Sequence, residues 1–181
     1  MVDSASLVTA NIRLLEQGID LLENIDDKRY LYSDEQVYKS AVGRHIRHTL
    51  EHYLCLLQHG MNGSQIDYDA RKRDEQLETD RQYAVKVTKS IISELNILAK
   101  QPEQLDRQLQ IKNNEGHLKA EGQWCRSGWR RELLFLISHT VHHYALVAII
   151  LRVQGYHPPP EFGVAPSTLR YEQKLENNPA D

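Results

Sequence analysis

Between Leu133 and Leu151 the chain carries no charged residue, and its apolar positions cover most of a helical circumference. Such a helix is stable only when other elements cover it. The spacing therefore predicts a helix over Trp129–Val153 that is the most buried of a helical core, stopped by Gly155. His139, His142 and His143 interrupt the apolar run. No uninterrupted apolar stretch therefore reaches the roughly 18 residues that a bilayer span requires.

Three further helices follow from apolar periodicity. The first covers about Ser6 to Asn24. The second covers about Asp34 to His59, with Ser33 and Gln36 as a capping box and Gly60 as its left-handed stop. Its apolar stripe is Val42, Ile46, Thr49, Leu50, Tyr53 and Leu57. The third starts at Thr79 with Gln82 completing a second capping box, and ends at Pro102. Met61 to Glu78 reads as a polar connection. Its IDYDARKRD patch is either a solvated, salt-bridged loop or a segment from which Arg71 or Arg73 reaches over a pocket mouth. Leu105 to Ile111 alternate as a strand does, Asn113 to Gly116 suggest a turn, and Leu118 to Gln123 a return strand. The tail from about residue 155 is rich in Pro and Gly and is expected to lie extended, with its last ten or so residues frayed. The predicted fold class is all-α: a four-helix bundle with a short β-hairpin inserted before the last long helix, forming one domain over residues 1–181.

The 181 residues suit one domain, and 40% hydrophobic with 26% charged residues is the balance of an ordinary globular chain. A net charge of -3 leaves no electrostatic footprint for nucleic acid. No basic start followed by an apolar segment marks a secretory signal, so a soluble cytoplasmic protein without a membrane partner is expected. Cys55 and Cys125 form no CxxC pair and fit a reducing compartment; small buried hydrophobes are the expected reading, with a thiolate ligand or nucleophile as the alternative for one of them.

Seven of the nine histidines fall into two groups: His45, His48, His52 and His59, then His139, His142 and His143. His139 and His143 are four residues apart, so in a helix they stack on one face and can converge on one ion. A third ligand must come from another helix. On a helical wheel His45 lies nearest the second helix's apolar stripe, His52 next and His48 farthest, all on one side. The wheel slightly favours His45 without settling the choice. The competing reading, histidines that only hydrogen-bond, is ordinary for one residue and much less so for two clusters on two core helices.

HIRHTLEHY on the second helix, together with HTVHHYA on the fourth and the closing FGVAPSTLRY, resembles the DinB/YfiT-like superfamily of bacterial metal-binding four-helix bundles. The resemblance implies one divalent metal ion held by His48, His139 and His143, with His45 as the alternative first ligand. It also implies a metal-dependent enzyme with an open coordination position that activates a low-molecular-weight thiol or water, as an S-transferase or a hydrolase does. The alternative is a non-catalytic metal- or ligand-binding stress-response protein. Imidazole ligands suit zinc, nickel and iron alike. Glu51 and His52, near His48, are the candidates to orient a ligand or act as a base. His142 is left to a supporting role or to a homodimer contact across exposed helix faces. Tyr144, Arg131 and Glu132 form no recognisable triad. Trp124 and Trp129 are expected to pack in the core or line an apolar pocket.

Overall fold

The computed structural model describes residues 4–34, 37–113 and 122–177. The chain is mostly helical with a small three-stranded sheet. In order it forms α1 (Ser4–Asn24), α2 (Asp27–Leu31), α3 (Val42–Asn62), β1 (Gln65–Ile66), α4 (Gln76–Thr79), α5 (Arg81–Leu98), α6 (Pro102–Leu105), β2 (Gln108–Asn113), β3 (Gln123–Gly128), α7 (Trp129–Val153) and α8 (Pro166–Asn177). Among the long helices α1 packs on α5 and α7, and α3 packs on the same two. The expected stripe of α3 is buried along its whole length, against a core that includes Leu15, Leu22, Ile91, Leu95, Leu133 and Leu136.

One buried polar node ties three of these helices. Asn11 is fully buried on α1, and its amide donates to the carbonyls of Leu7 (2.9 Å) and Leu133 (3.2 Å). Its Oδ1 accepts from the Tyr53 hydroxyl at 2.8 Å, and that hydroxyl accepts from Thr140 at 3.2 Å. Every member finds a partner, which is the condition for polar groups to persist in a core. The node fixes the rotation of α3 and α7 about their axes, and hence which histidines meet.

Several sequence expectations are corrected at element ends. The second helix begins at Val42, not Asp34. An antiparallel bridge joins Asp34 to Tyr38, with the Tyr38 amide donating to the Asp34 carbonyl at 2.7 Å, so this stretch spends its backbone groups in a turn. Gln36 of the expected capping box lies outside the described residues. The cap of α5 is Asp80, which accepts from the Tyr83 amide at 2.9 Å; the Thr79 hydroxyl instead donates to the Glu75 carbonyl within α4. Pro102 opens α6 rather than closing α5, since a first-turn position needs no amide donor. The polar connection holds β1 and α4, and β1 pairs in parallel with β2. The return strand is Gln123–Gly128, in antiparallel register from Gln108↔Gly128 to Asn113↔Gln123; the expected turn at Asn114 to Gly116, and Leu118 to Glu121, lie outside the described residues. β3 runs straight into α7. The tail is not wholly extended: Phe162 stacks on Tyr144 at 4.7 Å, and α8 then forms with a proline at its start. Residues 178–181 lie outside the described residues.

α7 spans the residues that its periodicity predicts, and its length and composition alone would allow a membrane crossing. It packs on α1 and α3, but Leu134, Ile149 and Val153 are exposed, so α7 is not the most buried helix that its composition predicts; a larger share of α3 is buried. Gly155, at φ +76°, ends it, and the Tyr156 amide returns to the Leu151 carbonyl at 2.9 Å, the hydrogen bond of a left-handed C-terminal cap.

Gly60 is not a stop signal. It lies inside α3, where a Cβ would stand 2.5 Å from Cζ2 of the fully buried Trp129. Gly60→Ala is expected to cost about 2 kcal/mol, the usual scale of overpacking. Urea unfolding checks this, and a loss under about 0.5 kcal/mol, typical of a surface change, would show that the tryptophan has room to move.

Candidate metal centre

Because α3 and α7 are neighbours, the histidines on their shared flank come together. One nitrogen each of His48, His139 and His143 lies within 4.8 Å of the others, and all three residues are half-buried. His48 Nε2 and His139 Nε2 are 3.1 Å apart. Tetrahedral zinc with bonds of 2.0–2.1 Å needs ligand nitrogens about 3.3 Å apart, so this spacing is compatible with a shared ion as well as with a hydrogen bond. The rings of His139 and His143 are 4.5 Å apart, as their one-turn separation on α7 requires.

Burial, reinforced by neighbouring histidines, pushes the pKa of His139 down to about 2 and that of His143 to about 3; for His48, Arg71 adds to the effect and the pKa falls to about 4. All three are therefore neutral near pH 7, the protonation state that a metal ligand needs. His139 Nδ1 is buried with no hydrogen-bond partner, an arrangement that costs about 1–3 kcal/mol and that packing alone does not explain. The donor set and the neutral state of its rings fit a divalent ion.

Around this trio stand groups of different kinds. His45, the alternative ligand, sits behind His143, Nδ1 to Nδ1 at 3.1 Å. His52 is buried and donates from Nδ1 to the His48 carbonyl at 2.7 Å, which leaves Nε2 with its lone pair. Its ring stacks on Tyr68 and lies 4.2 Å from that of His139. Phe135, one turn before His139, completes an apolar wall. Glu51 is buried with both carboxylate oxygens engaged: Oε1 by the Asp74 amide at 2.9 Å and Oε2 by Arg71 Nε at 3.2 Å. His142 is exposed.

Of the two arginines in the charged patch, Arg73 is exposed and Arg71 is turned inward. Arg71 Nη1 donates to the Tyr68 carbonyl at 2.6 Å, and Nη2 lies 2.8 Å from His48 Nδ1. Behind Arg71 and Glu51 opens a cavity of about 460 Å³. Glu132, fully buried, takes the Tyr68 hydroxyl at 2.9 Å and also holds Ser127 and Arg131, clamping the connection onto α7. The roles of Tyr68 and Phe135 go unnoticed in the sequence. Phe135 was legible as the residue one turn from His139 on the same face; Tyr68 comes from an irregular segment and gives no local signal. Trp124 is exposed and Trp129 is core; Cys55 is buried, whereas Cys125 is exposed.

Comparison with known proteins corrects the expected relationship. No family model matches the chain, and no solved structure matches it. The chain is similar to a curated fungal protein, FK506-binding protein 5 of Rhizopus delemar, at 27% identity over 169 residues. That match covers 90% of this chain and 37% of the relative, so the chain spans just over a third of the relative's length. The resemblance to the bacterial DinB/YfiT-like superfamily is overturned: the similarity found runs to a fungal FK506-binding protein. Its motifs were short runs of histidines on amphipathic helices, a pattern that helix geometry can generate in unrelated chains.

Proposed function

We propose that His48, His139 and His143 hold one divalent metal ion, zinc, nickel or iron, and that the protein is a metal-dependent enzyme acting on a small molecule. In this reading the four long helices are a four-helix bundle, a fold whose facing helices commonly build such sites in the core. The observation that carries it is the meeting of three neutral imidazole nitrogens from two helices within 4.8 Å, in half-buried residues. With three protein ligands a position stays open, and the bound ion supplies a Lewis acid for water or a low-molecular-weight thiol, the chemistry of a hydrolase or an S-transferase. The chain's own groups divide the remaining work. His45 orients the His143 ring through its Nδ1 contact. His52, its Nδ1 locked on the His48 carbonyl, keeps its Nε2 lone pair as a hydrogen-bond acceptor, since burial holds its pKa near 4. Tyr68 and Phe135 exclude water from one side.

Metal content of tag-free protein after equilibration with zinc, nickel and iron tests the proposal. The expected result is one ion per chain in the wild type and in His142→Ala, and none in His48→Ala or His139→Ala. His45→Ala is expected to keep the ion with about tenfold weaker affinity. At a free metal concentration 100 times Kd the wild type should gain about 2.7 kcal/mol of stability. A wild type that takes up none of the three metals sinks the proposal.

A further inference from the structure

The hydrogen bond behind His48 is not one that a metal site ordinarily has. A histidine gives one nitrogen to an ion while the other, carrying the proton, donates to a carboxylate, a carbonyl or water. The group behind His48 Nδ1 is instead the Arg71 guanidinium, at 2.8 Å, and a guanidinium has donors only. His48 Nδ1 must therefore present its lone pair, and the ring's proton sits on Nε2. That proton points at His139 Nε2, 3.1 Å away. The two nitrogens best placed to share an ion are thus joined by a hydrogen bond.

We propose that Arg71 is a positioning residue that holds His48 in a metal-excluding tautomer, and that an ion is admitted when the guanidinium turns away. This rests on the metal-binding reading above. For His48 to offer Nε2, its proton there must leave to solvent and another must be taken up at Nδ1, so the ring stays neutral and the count balances. With Arg71 in place, two N–H groups would then face each other at 2.8 Å. Room for the turn exists, because the cavity of about 460 Å³ behind Arg71 is bounded by Glu51, Asp74 and Glu94. The Nε bond to Glu51 at 3.2 Å can act as the pivot, and the carboxylates on the cavity wall can receive the moved nitrogens.

Two measurements test this. Long-range proton–nitrogen NMR on the metal-free wild type reads the His48 tautomer with no substitution, and the proton is expected on Nε2. A proton on Nδ1 overturns the inference whatever the protein's affinity for metal. Zinc affinity by chelator competition is then compared for wild type, Arg71→Met and Arg71→Lys. Arg71→Met removes the donor and is expected to bind zinc about tenfold more tightly; Arg71→Lys keeps a donor and should stay near the wild type. A purely structural arginine would give unchanged or weaker binding in Arg71→Met, and that result overturns the gate while leaving the metal site standing. Zinc binding by Arg71→Met alone supports the gate in its strongest form. Failure of all three proteins to bind zinc overturns the metal reading and the gate together.

Discussion

Lowering the pH from 7 to 5 is expected to destabilise the metal-free protein steeply. In the fold His48 and His52 take up a proton near pH 4, His143 near 3 and His139 near 2, each shifted chiefly by burial from an ordinary value of 6.5. Once pH falls below 6.5, the unfolded chain binds protons that the native chain refuses. The stability contributed by neutral imidazoles is thus complete above about pH 6.5 and is lost progressively as pH falls toward the depressed native values. Four histidines set the upper limit. Because the rings of His48, His139 and His143 remain partly reachable by water, screening reduces the difference to roughly two protons, or about a hundredfold in the unfolding equilibrium per pH unit between 6 and 5. Urea titrations at pH 7, 6 and 5 measure this directly. Equal stability across that range would mean that the fold accommodates imidazolium, and the basis for calling these groups ready-made ligands would disappear.

Replacing Glu51 by leucine is expected to cost about 3–5 kcal/mol, the usual result of removing one partner from a buried ionic cluster. Its side chain is 1% exposed, beside Arg71 at 9% and Arg47 at 17%. Leucine would leave both guanidinium groups without this carboxylate and the Asp74 amide without its acceptor. Glu51→Gln keeps an oxygen for that amide and should lose about 2 kcal/mol. Chemical denaturation separates the two variants. A loss below about 1 kcal/mol in Glu51→Leu would place this cluster with weakly coupled surface pairs.

The parts of the fold that depend on long apolar periodicity were legible. α7 was predicted to the residue, and α1 to within two residues of its start. What failed were local motifs read without their surroundings. Ser33 looked like a helix cap, but Tyr38 packs back toward the core and the chain turns first, so α3 opens eight residues late. Thr79 lost the capping role to Asp80 by one position. The helix near the end was hidden by the prolines and glycines before it. The histidines show the same division. Their convergence followed from i, i+4 spacing, but the choice between His45 and His48 did not. A wheel ranks residues by distance from the buried stripe, and His48 stood farthest from it. The structure brings His48 to His139 because the histidines sit on the flank of the α3–α7 contact and not at its centre. The family expectation failed for a related reason: short histidine motifs report local helix chemistry, and ancestry is carried by the rest of the chain.

His48 and His139 are 91 residues apart in the chain, with α5 and the β-hairpin between them. Docking α3 on α7 closes that whole span, and such long-range contacts are entropically expensive to assemble early. A ligand that must touch both helices therefore has nothing to grip until the chain is almost native. It leaves the rate of folding unchanged and slows the rate of unfolding. On the metal reading proposed above, occupancy of the histidine cluster would govern how long a folded molecule lasts, not how quickly it is made.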